Sequence, residues 1–433
     1  MRHGVKDSMN QFLAIPPARE VRGELHAPPS KSATNRALVL AALSETPVEL
    51  VRPLVSQDIL ALRRCLVAMG ASIEEFAGGL RARGPLRGPA RGEAVLDAGE
   101  SGTAARLLVA LAAVTPGRFL VTGSARLRER PMRELVEALS PADVRIESRE
   151  APGFLPLAVE GRSLQGGCLR VDASRSSQFL SALLLAGAAT SGGWDVEVAG
   201  KIASAPYVRL TIEALRAFGH RVDEGPRFRV ARGDRGVERY EISGDYSSAI
   251  PLFAAAGAAG GSVTVLGLSW PAADADAGAL PVLEAMGLSV AASAGRISAG
   301  RSGSLRAARV RASDFPDAVP ALAALAGLAE GESRFEGIAH LRWKESDRID
   351  ALARLLTEAG GGARAEEDVL VVCGPISVSN GPARRLPTFN DHRIAMAAAL
   401  LSLAVPGLLI ENPGCVAKSY PEFFRDLERI VRR

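Results

Sequence analysis

The run HLRWKESDRID at 340–350 crowds Arg342, Lys344, Glu345, Asp347, Arg348 and Asp350 around one tryptophan. A carboxylate set among cations suits proton transfer, and the cations themselves suit an anionic substrate. The same letters also spell an ordinary helix start. Ile349, Leu352, Leu355 and Leu356 recur at helical spacing and predict a helix running to about Gly360. Ser346 or Glu345 is the expected cap, and acidic side chains suit a first turn. Lys344 and Arg348, four apart, are expected to share a face. On this stretch alone a solvated turn and a catalytic one both stand.

Other polar segments carry similar ambiguity. PPSKSATNR offers Lys31, Ser32 and Arg36 at a strand-to-helix turn, and GESGTAAR is a glycine-bearing turn around Gly102 of the kind that lets backbone approach a phosphate. RLRERPMRELV packs Arg126, Arg128, Arg130 and Arg133 together. ASRSSQF supplies Ser176, Ser177 and Gln178, and KIASAPYVR supplies Ser204 and Tyr207. FNDHRIAM gives Asp391, His392 and Arg393, and CVAKSYPEFF gives Lys418. Singly, a Ser-Ser pair reads as a cap, an arginine run as a solvated face, and DHR as a capped helix start. The chain has no GxxxxGK[ST], no GxGxxG with its acid, no HExxH and no GxSxG. P-loop hydrolysis, hydride transfer, zinc proteolysis and the nucleophile-elbow hydrolases lack support.

The elements that must position these residues form a repeat. Six segments begin with polar or capping residues, continue as Ala/Leu-rich helix and end near Pro or Gly: 35–47, 102–117, 176–193, 247–261, 317–331 and 392–407. Their starts recur every 67 to 75 residues. Six amphipathic helices, among them ILALRRCLVAMGA, LTIEALRAFGH and IDALARLLTEAGG, keep the same beat, and the sixth ends the chain. The expected unit is strand, buried helix, strand, amphipathic helix and two strands. Units this small must pack together to bury their faces. The first turns of the buried helices carry Asn35 and Arg36, Gly102 and Thr103, Ser176 and Ser177, Ser247 and Ser248, Asp317, and His392 and Arg393. Helix N-termini present free N–H groups and partial positive charge, so several converging on one cleft make a polyanion site.

Composition agrees with an α/β protein of two or three domains. The chain has 433 residues, 47% of them hydrophobic and only 5% aromatic, so its cores must be aliphatic. A net charge of +4 suits acidic small molecules and is weak as a nucleic-acid footprint. Cys65, Cys168, Cys373 and Cys415 form no CxxC pair, so neither a zinc site nor a disulfide framework is expected, and a cytoplasmic location fits. No signal peptide is expected, and the first nine or so residues read as a floppy extension. The apolar stretch 394–410 is broken by Pro406 and Gly407 and reads as buried helix, turn and strand rather than a membrane span.

Eight motifs taken in order carry a resemblance: PPSKSATNRAL, GESGTAARLL, VTGSARLRERPM, SSQFLSALLL, SDFPDAV, LRWKESDRI, NDHRIAMA and VAKSYPEF. The chain resembles the enolpyruvyl transferases, in particular the EPSP synthase family, over nearly its whole length from FLAIPP to YPEFF. That resemblance implies a two-domain fold of six βαβαββ-type units, three per domain, with the active site between the domains. Residues 30–244 would form one domain, and 1–29 with 245–433 the other. It implies transfer of the enolpyruvyl group of phosphoenolpyruvate to the 5-hydroxyl of shikimate 3-phosphate, with no metal or other cofactor. Ser32, Arg36, Ser176, Ser177, Ser204 and Tyr207 would hold shikimate 3-phosphate, with Gln178 close to its ring. Lys31, Gly102, Arg130, Arg348, Arg393 and Lys418 would hold phosphoenolpyruvate, with His392 alongside and Lys344 facing the anion with Arg348. Asp317 would act as base on the shikimate hydroxyl. Glu345 would exchange a proton with C3, beside Lys31. A monomer with no nucleic-acid or membrane partner is expected.

The chain departs from the family pattern at a few positions. Glu100 stands where the family most often has Asn, adding a carboxylate beside an anion site that must be paired, turned away or protonated. Pro29 replaces a glycine, Tyr246 a small residue, and His340 an Asn or Glu. The nearest alternative is the UDP-N-acetylglucosamine enolpyruvyl transferase, but the SARLRERPMRE region lacks its loop cysteine. An RNA-processing enzyme on similar repeats would need a long basic face with stacking aromatics. A silent anion-binding protein would have no need of Lys31, Asp317 and Glu345 together.

Overall fold

Six helices are buried nearly all round: Lys31–Leu43, Gly102–Val114, Ser177–Gly187, Tyr246–Ala259, Val319–Leu328 and His392–Ala404. Their Ala/Leu composition leaves no polar face to turn outward, and such helices belong inside a core. Four have side-chain caps from short polar residues: Ser30, Ser101, Ser176 and Asp391 each accept from a backbone N–H in the first turn. In the computed structural model, which describes residues 11–233, 236–270, 274–378 and 381–433, these helices are the axes of two bundles. The extension expected over the first nine or so residues lies outside the described residues. The first helix begins at Lys31, so Asn35 and Arg36 sit one turn deeper than the sequence spacing suggested.

Four of the six buried helices link two strands that pair in parallel, as a crossover connection must. Glu93–Asp97 and Gly117–Thr122 run parallel on either side of the 102–114 helix, Leu157–Gly161 returns antiparallel, and Arg145–Ser148 completes the sheet. Gly167–Asp172, Trp194–Ala199, Arg227–Ala231 and Arg221–Asp223 repeat that order. So do Arg309–Arg311, Gly331–Glu336, Val369–Gly374 and Gly362–Ala365. The expected α/β unit is present, and the departures lie where the chain must close its rings. Arg239–Glu241 returns to pair with Val48–Val51 and supplies the missing first strand of the first unit. Glu20–His26 does the same for Gly261–Leu266. The last unit has no trailing hairpin, and Phe12–Ala14 pairs with Leu408–Glu411 instead. Nor does the sixth amphipathic helix, Phe423–Ile430, end the chain: Val431–Arg432 pairs with Glu20–Val21.

Buried apolar residues fall into two clusters. One is drawn from 33–242, the other from 21–27 with 246–431. The chain crosses between them twice, side by side. Ser30 N–H donates to Ser243 O at 2.8 Å, and Asp245 N–H to Pro28 O at 2.9 Å. The 394–410 stretch is a buried helix, a turn and a strand. Among the described residues no helix is long and apolar enough to cross a membrane.

Candidate active site

The capped N-termini of the 31–43, 102–114 and 177–187 helices open into one cavity between the two cores. From the first core it is lined by Lys31, Ser32, Arg36, Gly102, Arg130, Ser176, Ser177, Gln178, Ser204 and Tyr207. From the second come Asp317, Lys344 and Glu345. Arg348, His392, Arg393 and Lys418 do not line it. Arg348 and Arg393 stand behind the two carboxylates, His392 is buried nearby, and Lys418 borders a neighbouring cavity.

Arg348 organises the acidic side. Its Nη1 donates to Asp317 Oδ1 at 2.7 Å, its Nη2 to Glu345 Oε2 at 2.9 Å and its Nε to Asp391 Oδ2 at 2.8 Å. It is 1% exposed. It therefore braces three carboxylates from behind the cavity wall. Lys344 ends a short helical turn, Ala339–Trp343, and reaches Asp317 at 3.7 Å. The helix proper is Arg348–Glu358, and its cap is Asp347, not Ser346 or Glu345. Asp347 accepts from Asp350 N–H and pairs with Arg342 at 2.6 Å, while Ser346 donates to Asp391.

These contacts fix charge states. Burial works against the ionised form of Asp317, but Lys344, Arg348, Arg393 and Lys31 hold it well below the usual carboxylate range. Burial likewise opposes ionised Glu345, and Arg348, Arg130 and Lys31 overcome it. Lys31 is buried too, yet Asp58, Glu345 and Asp317 raise its pKa, and its Nζ lies 3.1 Å from Asp58. Burial keeps His392 neutral, helped by Lys31 and Arg393, and neither ring nitrogen has a hydrogen-bond partner among the described residues.

Arg130 is the cation with capacity to spare. It is buried, 3.8 Å from Glu345, and its Nε and Nη1 have no acceptor among the described residues. A buried donor without a partner is costly, and an incoming anion removes that cost. Its guanidinium lies flat over Gly102, where an added Cβ would fall 2.4 Å from the central carbon. Only glycine permits that approach. Arg36 differs. It already donates to Thr211, to Ser181 and to the carbonyls of Ser32 and Tyr207. Burial pushes its pKa down to about 10.

Contacts cross the cavity between the cores. Ser204 Oγ donates to Ser313 O at 3.0 Å, and the Tyr207 hydroxyl to Asp276 Oδ2 at 2.8 Å. Arg126 donates to the carbonyls of Arg342, Lys344 and Glu345 at 3.2, 3.4 and 3.3 Å. Several lining residues were missed in the sequence. Arg106 projects from within an Ala-rich helix and donates to Gln178 Oε1 at 2.6 Å, orienting that amide. An arginine inside an otherwise apolar helix was a usable signal. Asp58 resembled any first-turn acid, and nothing local tied it to Lys31. Among the described residues no group of three or more His, Cys, Asp or Glu could hold a metal ion.

With this geometry in view, comparisons with known proteins are specific. The model of the EPSP synthase (3-phosphoshikimate 1-carboxyvinyltransferase) family matches residues 15–427. A 3-phosphoshikimate 1-carboxyvinyltransferase of Thermococcus kodakarensis is 41% identical over 428 residues, covering 97% of this chain and 100% of its own. One from Syntrophobacter fumaroxidans is 38% identical over 419 residues, covering 96% and 99%. Among solved structures, an EPSP synthase from Acinetobacter baumannii superposes with a TM-score of 0.78 at 27% identity, over 97% of this chain and 98% of that one.

Proposed function

Because the chain belongs to the EPSP synthase family and carries out that family's carboxyvinyl transfer, we propose that its central cavity is where phosphoenolpyruvate meets shikimate 3-phosphate. The observation that supports this most is the pairing of Asp317 and Glu345 on one buried arginine, opposite Lys31 and Arg130 from the other core. Two carboxylates and several cations in one cavity are what an addition–elimination between two anions needs.

In this reading Ser32, Ser176, Ser177, Ser204 and Tyr207 hold shikimate 3-phosphate, with Arg36 bracing the wall behind them and Gln178 at the ring. Lys31, Gly102, Arg130, Arg393 and Lys418 serve phosphoenolpyruvate, with Arg348 and His392 behind them and Lys344 beside Asp317. Asp317 accepts the proton of the 5-hydroxyl as that oxygen bonds C2 of phosphoenolpyruvate. Glu345 gives a proton to C3 and recovers it when the tetrahedral intermediate expels phosphate. Glu345 begins as a carboxylate held down by Arg348 and Arg130 after burial is overcome. An anion that engages Arg130 weakens that hold and raises the proton affinity of Glu345, so substrate binding prepares the acid.

The two apolar clusters support a division into a domain of 30–244 and one of 1–29 with 245–433. We also take the chain to act as a monomer in the cytoplasm, without a nucleic-acid or membrane partner; its four unpaired cysteines suit a reducing compartment. Phosphate release on mixing the protein with both substrates, against each alone, tests the reaction. Release from phosphoenolpyruvate alone, or none with both, overturns the assignment.

A further inference from the structure

Beside the central cavity lies a second one, sharing Arg130 and Glu345 with it and bounded on its far side by Glu100 and Lys418. Glu100 comes from the first core, in the turn before the 102–114 helix, and Lys418 from the second, at the end of the Pro413–Lys418 turn. Lys418 is 5% exposed, and its Nζ forms a close ion pair with Glu100 Oε2 and donates to the carbonyl of Asn390.

Asn390 is held for this task from two directions. Its Oδ1 accepts from Asn412 Nδ2 at 3.0 Å, which turns its amide nitrogen toward Glu100 Oε1 at 2.8 Å. Its backbone, like that of Phe389 before it, is left-handed, with φ of 55° and 52°. Asn tolerates that region and Phe does not readily, so two successive strained residues persist where the surrounding contacts over-determine them. The carboxylate of Glu100 is thus gripped by an ammonium and an amide across the gap between the cores.

An ammonium has three donors and one unit of charge. One of Lys418's donors is committed to Asn390, and its charge is neutralised by a carboxylate that belongs to the protein. Any anion brought to Lys418 must displace that carboxylate or share the cation with it, and two carboxylate-like charges on one ammonium repel. From this we infer that Glu100 is a specificity-determining residue that occupies Lys418 and thereby weakens the hold of this site on the anionic substrate. The inference rests on the assignment of Lys418 to phosphoenolpyruvate made above. Glu100 acts as a tethered competitor, and Arg130, whose Nε and Nη1 have no acceptor among the described residues, carries more of the affinity for phosphoenolpyruvate.

The test is a double-substitution cycle read by calorimetry and kinetics, with shikimate 3-phosphate saturating. Glu100→Gln keeps the length and the acceptor toward Asn390 but removes the charge. It is expected to tighten binding of phosphoenolpyruvate, and of inorganic phosphate used as an inert probe, by about tenfold. The KM for phosphoenolpyruvate falls with kcat little changed, a split that a merely structural role would not produce. In a Lys418→Met background the same substitution is expected to have no effect on either ligand. Unchanged or weaker binding in Glu100→Gln overturns the inference, as does a gain that persists in Lys418→Met. Circular dichroism and melting of each variant exclude misfolding. A wild-type protein that turns over while Glu100→Gln gains nothing defeats this inference alone. A wild-type protein that releases no phosphate defeats the functional reading, and the phosphate-probe arm still reads the pair.

Discussion

Glu345 Oε2 accepts a hydrogen bond from Arg348 Nη2 at 2.9 Å, three residues along the chain and inside the same buried cluster. The contact draws Glu345 out of an apparent surface charge run and into the buried cluster where the proposed proton transfer takes place. Glu345→Gln keeps the shape and removes the titratable proton. Its kcat is expected to fall by about 10²- to 10⁴-fold, with substrate binding little changed. Asp347→Asn is the control, since Asp347 caps the helix and pairs with Arg342. Asn is also a good cap, so the cost should stay within about 1 kcal/mol of stability. Deuterium exchange from solvent into the methylene of phosphoenolpyruvate, with shikimate 3-phosphate present, reads the same step. Normal exchange in Glu345→Gln removes Glu345 from the chemistry.

The flat approach of Arg130 to Gly102 gives a second test. A methyl group at Gly102 must push the guanidinium away from its position over the helix N-terminus. Gly102→Ala and Arg130→Ala should both weaken phosphoenolpyruvate, the latter by about 10- to 150-fold, the worth of a charged hydrogen bond. Ser177→Ala should instead weaken shikimate 3-phosphate. Calorimetry with each ligand checks the partition, and crossed effects would show the two substrates to be exchanged.

The buried helices and their period were legible because Ala/Leu runs with polar starts have few other uses. The ring closures were not, because Arg239–Glu241 and Glu20–His26 look like any short strand, and only closure of each threefold ring selects their partners. The cap of the 348–358 helix was misjudged for a local reason. Glu345, Ser346 and Asp347 are three competent side chains in a row, and only the extended backbone at Asp347 chooses among them. That Arg348 also braces three carboxylates was not legible, because two of them, Asp317 and Asp391, lie on distant segments. Glu100 was conspicuous in the sequence, but its partner, more than three hundred positions away, was not.

His340 offers a pH test. Burial, with Lys344 and Arg348 nearby, pushes its pKa down to about 3 from the ordinary 6.5. The folded protein holds this imidazole neutral, whereas the unfolded chain takes up a proton near 6.5. Stability from this group is complete above that value and is lost as pH falls from there toward about 3. His340→Gln should flatten that loss, seen as a smaller difference between urea midpoints at pH 7 and pH 5. An imidazole NMR signal that titrates near 6.5 in the folded protein would refute it.

Arg126 tests how the two cores are held. Its guanidinium reaches across to three backbone carbonyls of 342–345, and its remaining contact is with exposed Glu129. These are long, partly exposed bonds, so each is weak; together they fix the distance between the Arg-rich turn and the segment that carries Glu345. Arg126→Ala should leave both cores folded but loosen their apposition. We expect a larger scattering radius than wild type without ligand, and a return toward the wild-type radius when shikimate 3-phosphate draws the cores together. Ligand that binds the apposed form more tightly must raise the melting temperature of both proteins. The KM for phosphoenolpyruvate should rise in Arg126→Ala, since its site is completed by residues from both cores, while kcat at saturation recovers most of its value. A radius and a KM both unchanged by the substitution would show that the other contacts across the gap, those of Ser204, Tyr207 and Glu100 among them, hold the cores together without help from Arg126.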